Sequence, residues 1–382
     1  AVGASVVFTA DDGVNGRELW ITDGTTAGTR LLKDIYPGQA FGFPHSSDPT
    51  SLTSVGGVVY FAADDGVNGS ELWTTDGTTG GTRLVKNINQ RTAPSPDDIS
   101  FFFPTGSSPF GFTALGGWVL FAADDGVHGS ELWRTDGTAA GTTLVKDINP
   151  TTVPDSFGGV GGSSPMRLTE FAGKVFFAAD DGTNGRVLWG TDGTSAGTVA
   201  VPLGGLVDPS PNVGNLVVAG SRVFFTGEKN AQRVLLETDG TLSGTSVVEL
   251  GAGYPAGFTG FRAVALAGNG RRLYFGVDDA LHGEELWQID FPVPPAVNVV
   301  AVGTDGRSSG WSREFAYTAV SPTSIRVAGL TAIQSGFFSP NVPLTVTPAG
   351  GLANAATKVV SSRYDARSRA VIVTLASPIP AT

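Results

Sequence analysis

The stretch VVYFAADDGVNGSELWTTDGTTGGTRLVKNI, residues 58–88, decides the fold because the chain repeats it. The position that Trp73 occupies recurs at intervals of 47 to 60 residues along the chain. An internal period of this length is typical of solenoids and propellers, in which each repeat is one supersecondary unit. Five further copies begin at Val6, Trp118, Lys174, Arg222 and Arg272.

Each copy contains four β-rich runs that are separated by turn residues. In residues 51–88 the runs are LTSV, VVYFAAD, SELWTTD and RLVKNI, and the separators are GG, DGVNG and DGTTGGT. Glycine pairs and Asp-Gly or Asn-Gly clusters between such runs indicate tight turns in antiparallel sheets. Four antiparallel strands in each of six repeats predict an all-β, six-bladed β-propeller over residues 1–295.

The chain loses the repeat after a proline-rich stretch, Pro292–Pro295. Residues 296–382 are rich in Ser, Thr and Val and contain alternating runs, which predict further strands. TKVVSSRYD and RAVIVTLA flank a short turn and predict a hairpin. The segment 296–302 also lies where the fourth strand of the sixth blade is expected.

The repeated ELW-x-TDGT-xx-GT pattern resembles a bacterial repeat family of large secreted and surface proteins. The resemblance covers roughly residues 1–290 and implies an extracellular β-propeller. The tail, with its Tyr364-Asp365-Ala366 hairpin, resembles a bacterial immunoglobulin-like β-sandwich over residues 296–382. Together these resemblances imply an extracellular or cell-surface location.

Composition excludes several functions. The chain has 382 residues, no cysteine, three histidines and a net charge of −11. Without cysteine, thiol catalysis and Cys-based metal sites are excluded. A net acidic charge disfavours nucleic-acid partners, which need a basic face. No apolar run approaches the ~20 residues of a membrane span.

The two ends of the sequence suggest unpaired sheet edges. By alignment of the repeats, blade one lacks its innermost strand, and the immunoglobulin-like tail lacks its last strand. The missing strand of blade one could come from the C-terminal segment, from a longer chain or from another subunit. Unpaired edges are templates for strand addition, so self-association or contact with other surface proteins is expected.

The repeated DDGVNG turn is the candidate metal site. It places carboxylate, amide and carbonyl oxygens within six residues, and oxygen ligands suit Ca²⁺. A bare turn is the simpler interpretation, since Asp and Asn stabilise turns by bonding to the backbone. No other cofactor is predicted. The candidate ligands are Asp11, Asp12, Asn15, Asp64, Asp65, Asn68, Asp124, Asp125, Asp180, Asp181 and Asn184.

Aromatic residues in the long inter-blade loops are the candidate ligand contacts. In a four-stranded blade the DDGVNG turns and the inter-blade loops, residues 36–49, 89–110 and 149–165, share one face. Phenylalanine is unusual in a polar loop, so it either packs over the channel or forms a contact surface. Aromatics beside carboxylates would also suit glycans. These residues are Phe41, Phe43, Phe101, Phe102 and Phe103.

No catalytic set is evident. The sequence lacks a nucleophile elbow, a phosphate loop and a zinc-protease motif. Paired carboxylates such as Asp64 and Asp65 recur in four repeats, whereas a catalytic pair is normally a singular departure from a repeat. The sequence therefore predicts a non-enzymatic structural or adhesive protein of the cell surface, part of a larger assembly. A carbohydrate- or calcium-binding lectin-like module is the alternative, and a propeller hydrolase or lyase is a third.

Overall fold

A computed structural model describes residues 1–94, 102–151, 161–209 and 211–248, and beyond these nine separate strands between residues 266 and 375. Every regular element in these parts is a β-strand, so the predicted all-β class is confirmed. Within the same residues there is no helix of the length and apolarity that crosses a membrane. The chain divides into two compact units, residues 1–268 with 273–289, and residues 269–272 with 290–382.

The first three repeats form separate antiparallel sheets in which each strand pairs with the next. The first sheet has three strands, β1 (Val6–Asp11), β2 (Arg17–Thr22) and β3 (Arg30–Lys33). A two-stranded hairpin follows, β4 (Gln39–Ala40) and β5 (Phe43–Pro44). The second sheet has four, β6 (Thr50–Val55), β7 (Val58–Asp64), β8 (Ser70–Thr75) and β9 (Arg83–Lys86). After a second hairpin, β10 (Thr92–Pro94) and β11 (Phe102–Pro104), the third sheet comprises β12 (Phe110–Leu115), β13 (Trp118–Asp124), β14 (Ser130–Thr135) and β15 (Thr143–Lys146).

The next three repeats follow the same order. The fourth sheet comprises β16 (Met166–Phe171), β17 (Lys174–Asp180), β18 (Arg186–Thr191) and β19 (Val199–Ala200). The fifth comprises β20 (Gly214–Ala219), β21 (Arg222–Lys229), β22 (Gln232–Thr238) and β23 (Ser246–Val247). The sixth has three described strands, β24 (Leu266–Gly268), β25 (Arg272–Asp278) and β26 (Glu284–Asp290). One antiparallel sheet per repeat, with four strands in the second to fifth repeats, is the arrangement of a propeller.

The sheets of the second, third and fourth repeats are buried on both faces. This explains the continuous apolar run in the second strand of each. In β7 alternate side chains point to opposite faces. Phe61 packs with Leu19 of the first repeat, and Tyr60 packs with Phe121 of the third. Because neighbours cover both faces, β7 needs apolar residues at every position instead of alternate ones.

The tryptophans of the second, third and fourth repeats each contact the preceding repeat. Trp73, Trp133 and Trp189 are only 6–7% exposed, which confirms the predicted inter-repeat packing for these three. Trp20 is half-buried, and the side chain of Trp287 lies outside the described residues.

A lysine completes each of these contacts. Lys33 of β3 lies 5.6 Å above the Trp73 ring and donates a hydrogen bond of 2.7 Å to the Thr82 carbonyl. A cation over an indole face is an attractive contact. Lys86 with Trp133 and Lys146 with Trp189 repeat the arrangement.

The second unit is a closed ring of six strands in the order β27-β28-β29-β32-β31-β30. β31 and β32 form the predicted hairpin, in which Asp365 pairs with Ala370. β27, the segment offered for blade six, pairs with β28 and β30. The bounds are β27 (Ala296–Val302), β28 (Ser308–Ser321), β29 (Ser324–Ala328), β30 (Leu344–Pro348), β31 (Thr357–Asp365) and β32 (Ala370–Leu375).

The TDGT-xx-GT motif forms a closed network of hydrogen bonds at the turn in each of its five copies. Asp76 Oδ1 accepts from the backbone N–H and the hydroxyl of Thr78, at 2.9 and 2.7 Å. Thr75 and Thr82 join their hydroxyls across the turn at 2.7 Å. A side chain at Gly81 would overlap the Asp76 carboxylate, so the motif requires glycine there. The motif is therefore a scaffold, as the recurrence of its letters predicts.

Gly81 and its neighbour Gly80 provide a matched test of this network. We expect Gly81→Ala to lower the free energy of unfolding by about 1–3 kcal/mol, because the added methyl displaces Asp76. Gly80→Ala meets no atom within 4 Å and should change stability far less. Urea unfolding of the two variants measures the difference, and equal losses would contradict the role assigned to Gly81.

Candidate functional site

The described parts of the inter-repeat loops lie together with the DDGVNG turns on one face, as predicted, and we call this the loop face. The Asp64 N–H donates to the Ser47 carbonyl at 2.9 Å. Arg91 Nη1 donates to the Gly126 carbonyl at 2.8 Å. A side chain at Gly66 would overlap the Tyr36 ring. Each loop therefore contacts the turn of the repeat that follows it.

The candidate calcium ligands serve as acceptors for backbone groups of their own turns. Asp65 Oδ1 accepts from the N–H groups of Val67 and Asn68 at 2.9 and 2.8 Å, and Asn68 Nδ2 donates to Asp65 Oδ2 at 2.8 Å. Asp64 Oδ1 accepts from the Gly66 N–H at 2.7 Å. The same bonds recur around Asp11, Asp12 and Asn15, around Asp124 and Asp125, and around Asp180, Asp181 and Asn184.

These bonds stabilise the ionised turn carboxylates. The Asn15 and Val14 N–H groups hold the pKa of Asp12 below its usual range. In the third repeat, hydrogen bonding to Asp125 raises the pKa of His128. Over the described ranges, no three or more Asp, Glu, His or Cys side chains are grouped to hold a metal ion. The geometry is that of Asx turns.

The predicted aromatic residues are only partly described. Phe41 is fully exposed, at 101%, at the tip of the β4–β5 hairpin, and its φ of 53° is a left-handed conformation unusual for phenylalanine. Phe43 is 75% exposed. Phe102 and Phe103 lie in β11, opposite Pro94 and Ala93. Phe101 lies outside the described residues.

A buried glutamate fixes both ends of each long loop. The Glu71 carboxylate, 0% exposed, accepts from the N–H groups of Ile88 and Asn89, where the loop begins. It also accepts from the Ser107 N–H at 3.0 Å and hydroxyl at 2.5 Å, where the loop ends. Glu18 with Ser47 and Glu131 with Ser163 repeat the arrangement. Burial raises the pKa of all three carboxyls, and that of Glu71 to about 6.

A cavity opens between the fourth and fifth repeats, which we call the arginine pocket. Its volume is about 330 Å³, and three arginines line it together with polar and apolar residues. This volume is at the lower end of the range for small-molecule sites. The lining comprises Met166, Arg167, Arg186, Asn212, Val213, Gly214, Asn215, Thr226 and Arg233.

Strand register shows that the arginine pocket departs from the second and third repeats. Thr226 pairs with Gly214 as Ala62 pairs with Thr50 and Ala122 with Phe110. Thr226 therefore takes a position that is alanine in earlier repeats. Arg186 begins the third strand of its sheet, where the second and third repeats have Ser70 and Ser130. Arg167 takes the place of Ser51 and Gly111 in the bulge of the first strand.

Positive charge in the arginine pocket is not neutralised by ion pairs. Across the described part of the chain, none of Arg167, Arg186 and Arg233 has a carboxylate within 4.0 Å, whereas Arg17 pairs with Asp48. Arg186 Nη1 donates weakly to the Ser164 carbonyl, at 3.3 Å. At the rim, Asn212 Nδ2 donates to Glu228 Oε1 at 3.4 Å. The pocket is thus a local cationic site on an acidic protein, suited to binding an anion.

The arginine pocket was not predicted from the sequence. The signal lay in the aligned repeats, where Ser70 and Ser130 become Arg186, and Glu71 and Glu131 become Val187. When only the sequences of the copies are compared, this change in the fourth repeat resembles a loss of the motif without functional meaning. The three arginines come together only in the folded chain, where β16, β18 and β22 contribute to the lining of one cavity.

Comparisons with known proteins match the fold and no family. No family model matches the chain, and no curated protein does. Among solved structures it is similar to puromycin hydrolase, at 15% identity and a TM-score of 0.40 over 86% of this chain. It is also similar to the β-propeller domain of the trilobed protease from Pyrococcus furiosus, which has an open velcro topology, at 10% identity and a TM-score of 0.39 over 82% of this chain and 80% of that one. A puromycin-hydrolysing peptidase of Mycobacterium tuberculosis matches at 15% identity and a TM-score of 0.40 over 85% of this chain and 47% of that one.

These matches correct one prediction. The chain spans 50% of the length of puromycin hydrolase, and the similar structures are a hydrolase, a peptidase and the β-propeller domain of a protease. The expectation of a structural or adhesive surface protein is therefore contradicted by this comparison, whereas the expected lack of enzymatic activity stays a prediction. The β-propeller class is supported. The repeat-family resemblance, the location, self-association and glycan binding stay predictions.

The buried glutamates predict a pH dependence of stability. The folded-state pKa of Glu71, about 6, lies above its ordinary value of 4.5. The folded state therefore holds this proton more tightly, and the group stabilises the fold below pH 4.5 and loses that contribution as pH rises through 6. The loss is about 2 kcal/mol for this group.

Glu71→Gln tests this dependence. We expect a less stable protein at every pH, since an amide N–H₂ faces N–H donors. The fall in unfolding free energy between pH 4.5 and 6.5 should be smaller by the contribution of Glu71. Urea unfolding across this range measures it, with Glu170→Gln, a change at an exposed carboxylate, as control. An unchanged pH slope in Glu71→Gln would contradict the assignment.

Proposed function

We propose that this chain is a ligand-binding β-propeller whose arginine pocket binds an anionic group. One observation carries the proposal: Arg167, Arg186 and Arg233 line a single cavity without carboxylate partners among the described residues. Keeping like charges together destabilises a protein unless an anion compensates them, and stabilising features are usually sacrificed only at functional sites. The second and third repeats hold Ser51 and Gly111 at the position of Arg167, and Ser70 and Ser130 at the position of Arg186, so the fold itself does not require arginine at these two places.

The loop face gives the arginine pocket an approach for ligands. The pocket is lined by the first residues of β16, β18 and β20 and the start of β22, which meet at this face. First strands of successive repeats also contact one another from β6 to β24. A ligand held by its anionic group in the pocket would therefore have its remainder near the mouth of the channel.

Two finer features of the fold are part of the proposal. Successive contacts between the first strands β6, β12, β16, β20 and β24 support a six-bladed ring. The β31–β32 hairpin supports an immunoglobulin-like second unit. An experimental structure with β1 and β24 as neighbours around one axis would agree with the six-bladed ring, and any other blade count would contradict it.

Calorimetric titration with small anions tests the binding function. The probes are sodium succinate, sulfate and phosphate in a chloride buffer of low ionic strength, with the intact chain in the cell. We expect binding that Arg186→Ser weakens about 10-fold or more, because each guanidinium–anion contact contributes about 1.5–3 kcal/mol. Serine is the residue that the second and third repeats carry at this position.

Arg17→Ser is the matched control for this experiment. Arg17 is the first residue of β2, the strand of the first repeat that corresponds to β18, and Arg186 is the first residue of β18. Arg17 lies outside the arginine pocket. Its substitution should leave anion binding unchanged. Absence of binding by all three anions, or equal loss in the two variants, would contradict the proposed function.

Arg167 adds a second test, because its backbone is strained. Its φ of 56° is left-handed, and Gly111 takes the same conformation at the equivalent position. Arg167→Gly should raise the free energy of unfolding by about 1 kcal/mol and weaken anion binding. Thermal unfolding and the same titration measure the two effects. A variant that binds anions as well as the parent would remove Arg167 from the site.

A further inference from the structure

We propose that the anionic group taken by the arginine pocket is a tetrahedral dianion, a phosphate or sulfate group, and not a carboxylate. This inference rests on the proposed function and specifies its ligand class. The three guanidinium groups come from three backbone elements, since Arg167 lies in β16, Arg186 begins β18 and Arg233 lies in β22. They therefore approach the cavity from separate strands of two sheets.

The geometry of the ligand oxygens separates the two classes. A carboxylate has two oxygens in one plane, which one or two planar guanidinium groups satisfy in bidentate fashion. A phosphate group has three or more strong acceptor oxygens that point in different directions. Three arginines on three strands match the second pattern, and a single carboxylate would leave guanidinium N–H groups without an acceptor.

The charge of the site favours a dianion. Three guanidinium groups contribute +3, and Glu228, held at the rim by Asn212, contributes −1. A phosphate monoester carries between −1.5 and −2 at pH 7, close to the sum of these charges. Glu228 is the register partner of Arg233 in the β21–β22 ladder, so its charge offsets part of the positive charge without an ion pair to Arg233.

The neighbouring side chains suit a group carried on a larger molecule. Asn212 and Asn215 bring carboxamides to the lining, while Met166 and Val213 add apolar surface. The Thr226 hydroxyl donates to the Gly214 carbonyl at 3.1 Å, which fixes the backbone at the floor of the cavity. A cavity of about 330 Å³ accommodates more than one inorganic ion. Phosphate and sulfate esters, or the free ions, present the same chemistry to the arginines.

Competition between anion classes tests the inference with the full chain. We expect inorganic sulfate and phosphate to bind at least 10-fold more tightly than succinate or acetate at equal ionic strength. Arg186→Ser and Arg167→Gly should each remove this preference, and Arg17→Ser should retain it. If phenyl phosphate binds at least as tightly as inorganic phosphate, the site is assigned to esters. If it binds more weakly, the site is assigned to the free ion. Both results support a tetrahedral anion as the ligand.

The pH dependence supplies a readout that a general loss of folding would not produce. Phosphate affinity should rise between pH 5.5 and 7.5 as the second proton leaves, with a pKa of about 6 for the esters. Sulfate affinity should stay constant, because neither sulfate nor guanidinium titrates in this range. A change in charge at the rim, where Glu228 lies, would act on both anions together and would leave their difference in pH dependence unchanged.

The outcomes separate this inference from the proposed function. If succinate binds more tightly than sulfate and Arg186→Ser loses succinate binding, the tetrahedral ligand class is overturned while anion binding by the pocket stands. Phosphate affinity that is constant across the pH range while sulfate binds overturns the preference for a dianion. Absence of binding by every anion overturns both.

Discussion

The burial of each sheet on both faces by its neighbours is the constraint on which the rest of the structure depends. A strand such as Val58–Asp64 has no solvent face to hold polar residues, so its side chains must match those of two adjacent repeats at once. This explains why the tryptophan and lysine positions recur together. Lys33 contacts Trp73, and Lys86 contacts Trp133, so each contact uses one residue from each of two repeats.

Much of the fold could be predicted because its information is local and repeated. Glycine pairs locate the hairpins, and the strand bounds of the second repeat follow the predicted runs closely. The TDGT turn was also predictable, since an Asp that bonds to the N–H two residues later is a property of short sequence. The DDGVNG turn was open to two interpretations, because carboxylates that accept backbone hydrogen bonds and carboxylates that bind calcium have similar spacing in sequence. In the folded chain Asp64 and Asp65 accept backbone hydrogen bonds.

The arginine pocket could not be predicted from the sequence in the same way. Its lining comes from two repeats and from residues 166 to 233, so no local motif contains it. The role of Glu71 in holding the loop ends was likewise not predicted from the ELW motif, because the four hydrogen bonds that it accepts come from residues 17 to 36 positions away. The fourth and fifth repeats carry valine at this position, at Val187 and Val234, and these are the repeats that form the pocket.

The interchangeable contact between repeats has a consequence for how such a protein changes over evolutionary time. Since the same lysine and tryptophan positions meet at several interfaces, a duplicated copy inserted between two others would find compatible surfaces on both sides. Gene duplication can therefore lengthen or shorten the array with little new adaptation of the core. A ligand site spread over two particular neighbours has no such freedom: an insertion between the fourth and fifth copies would separate Arg186 from Arg233 and abolish the site while the scaffold survives.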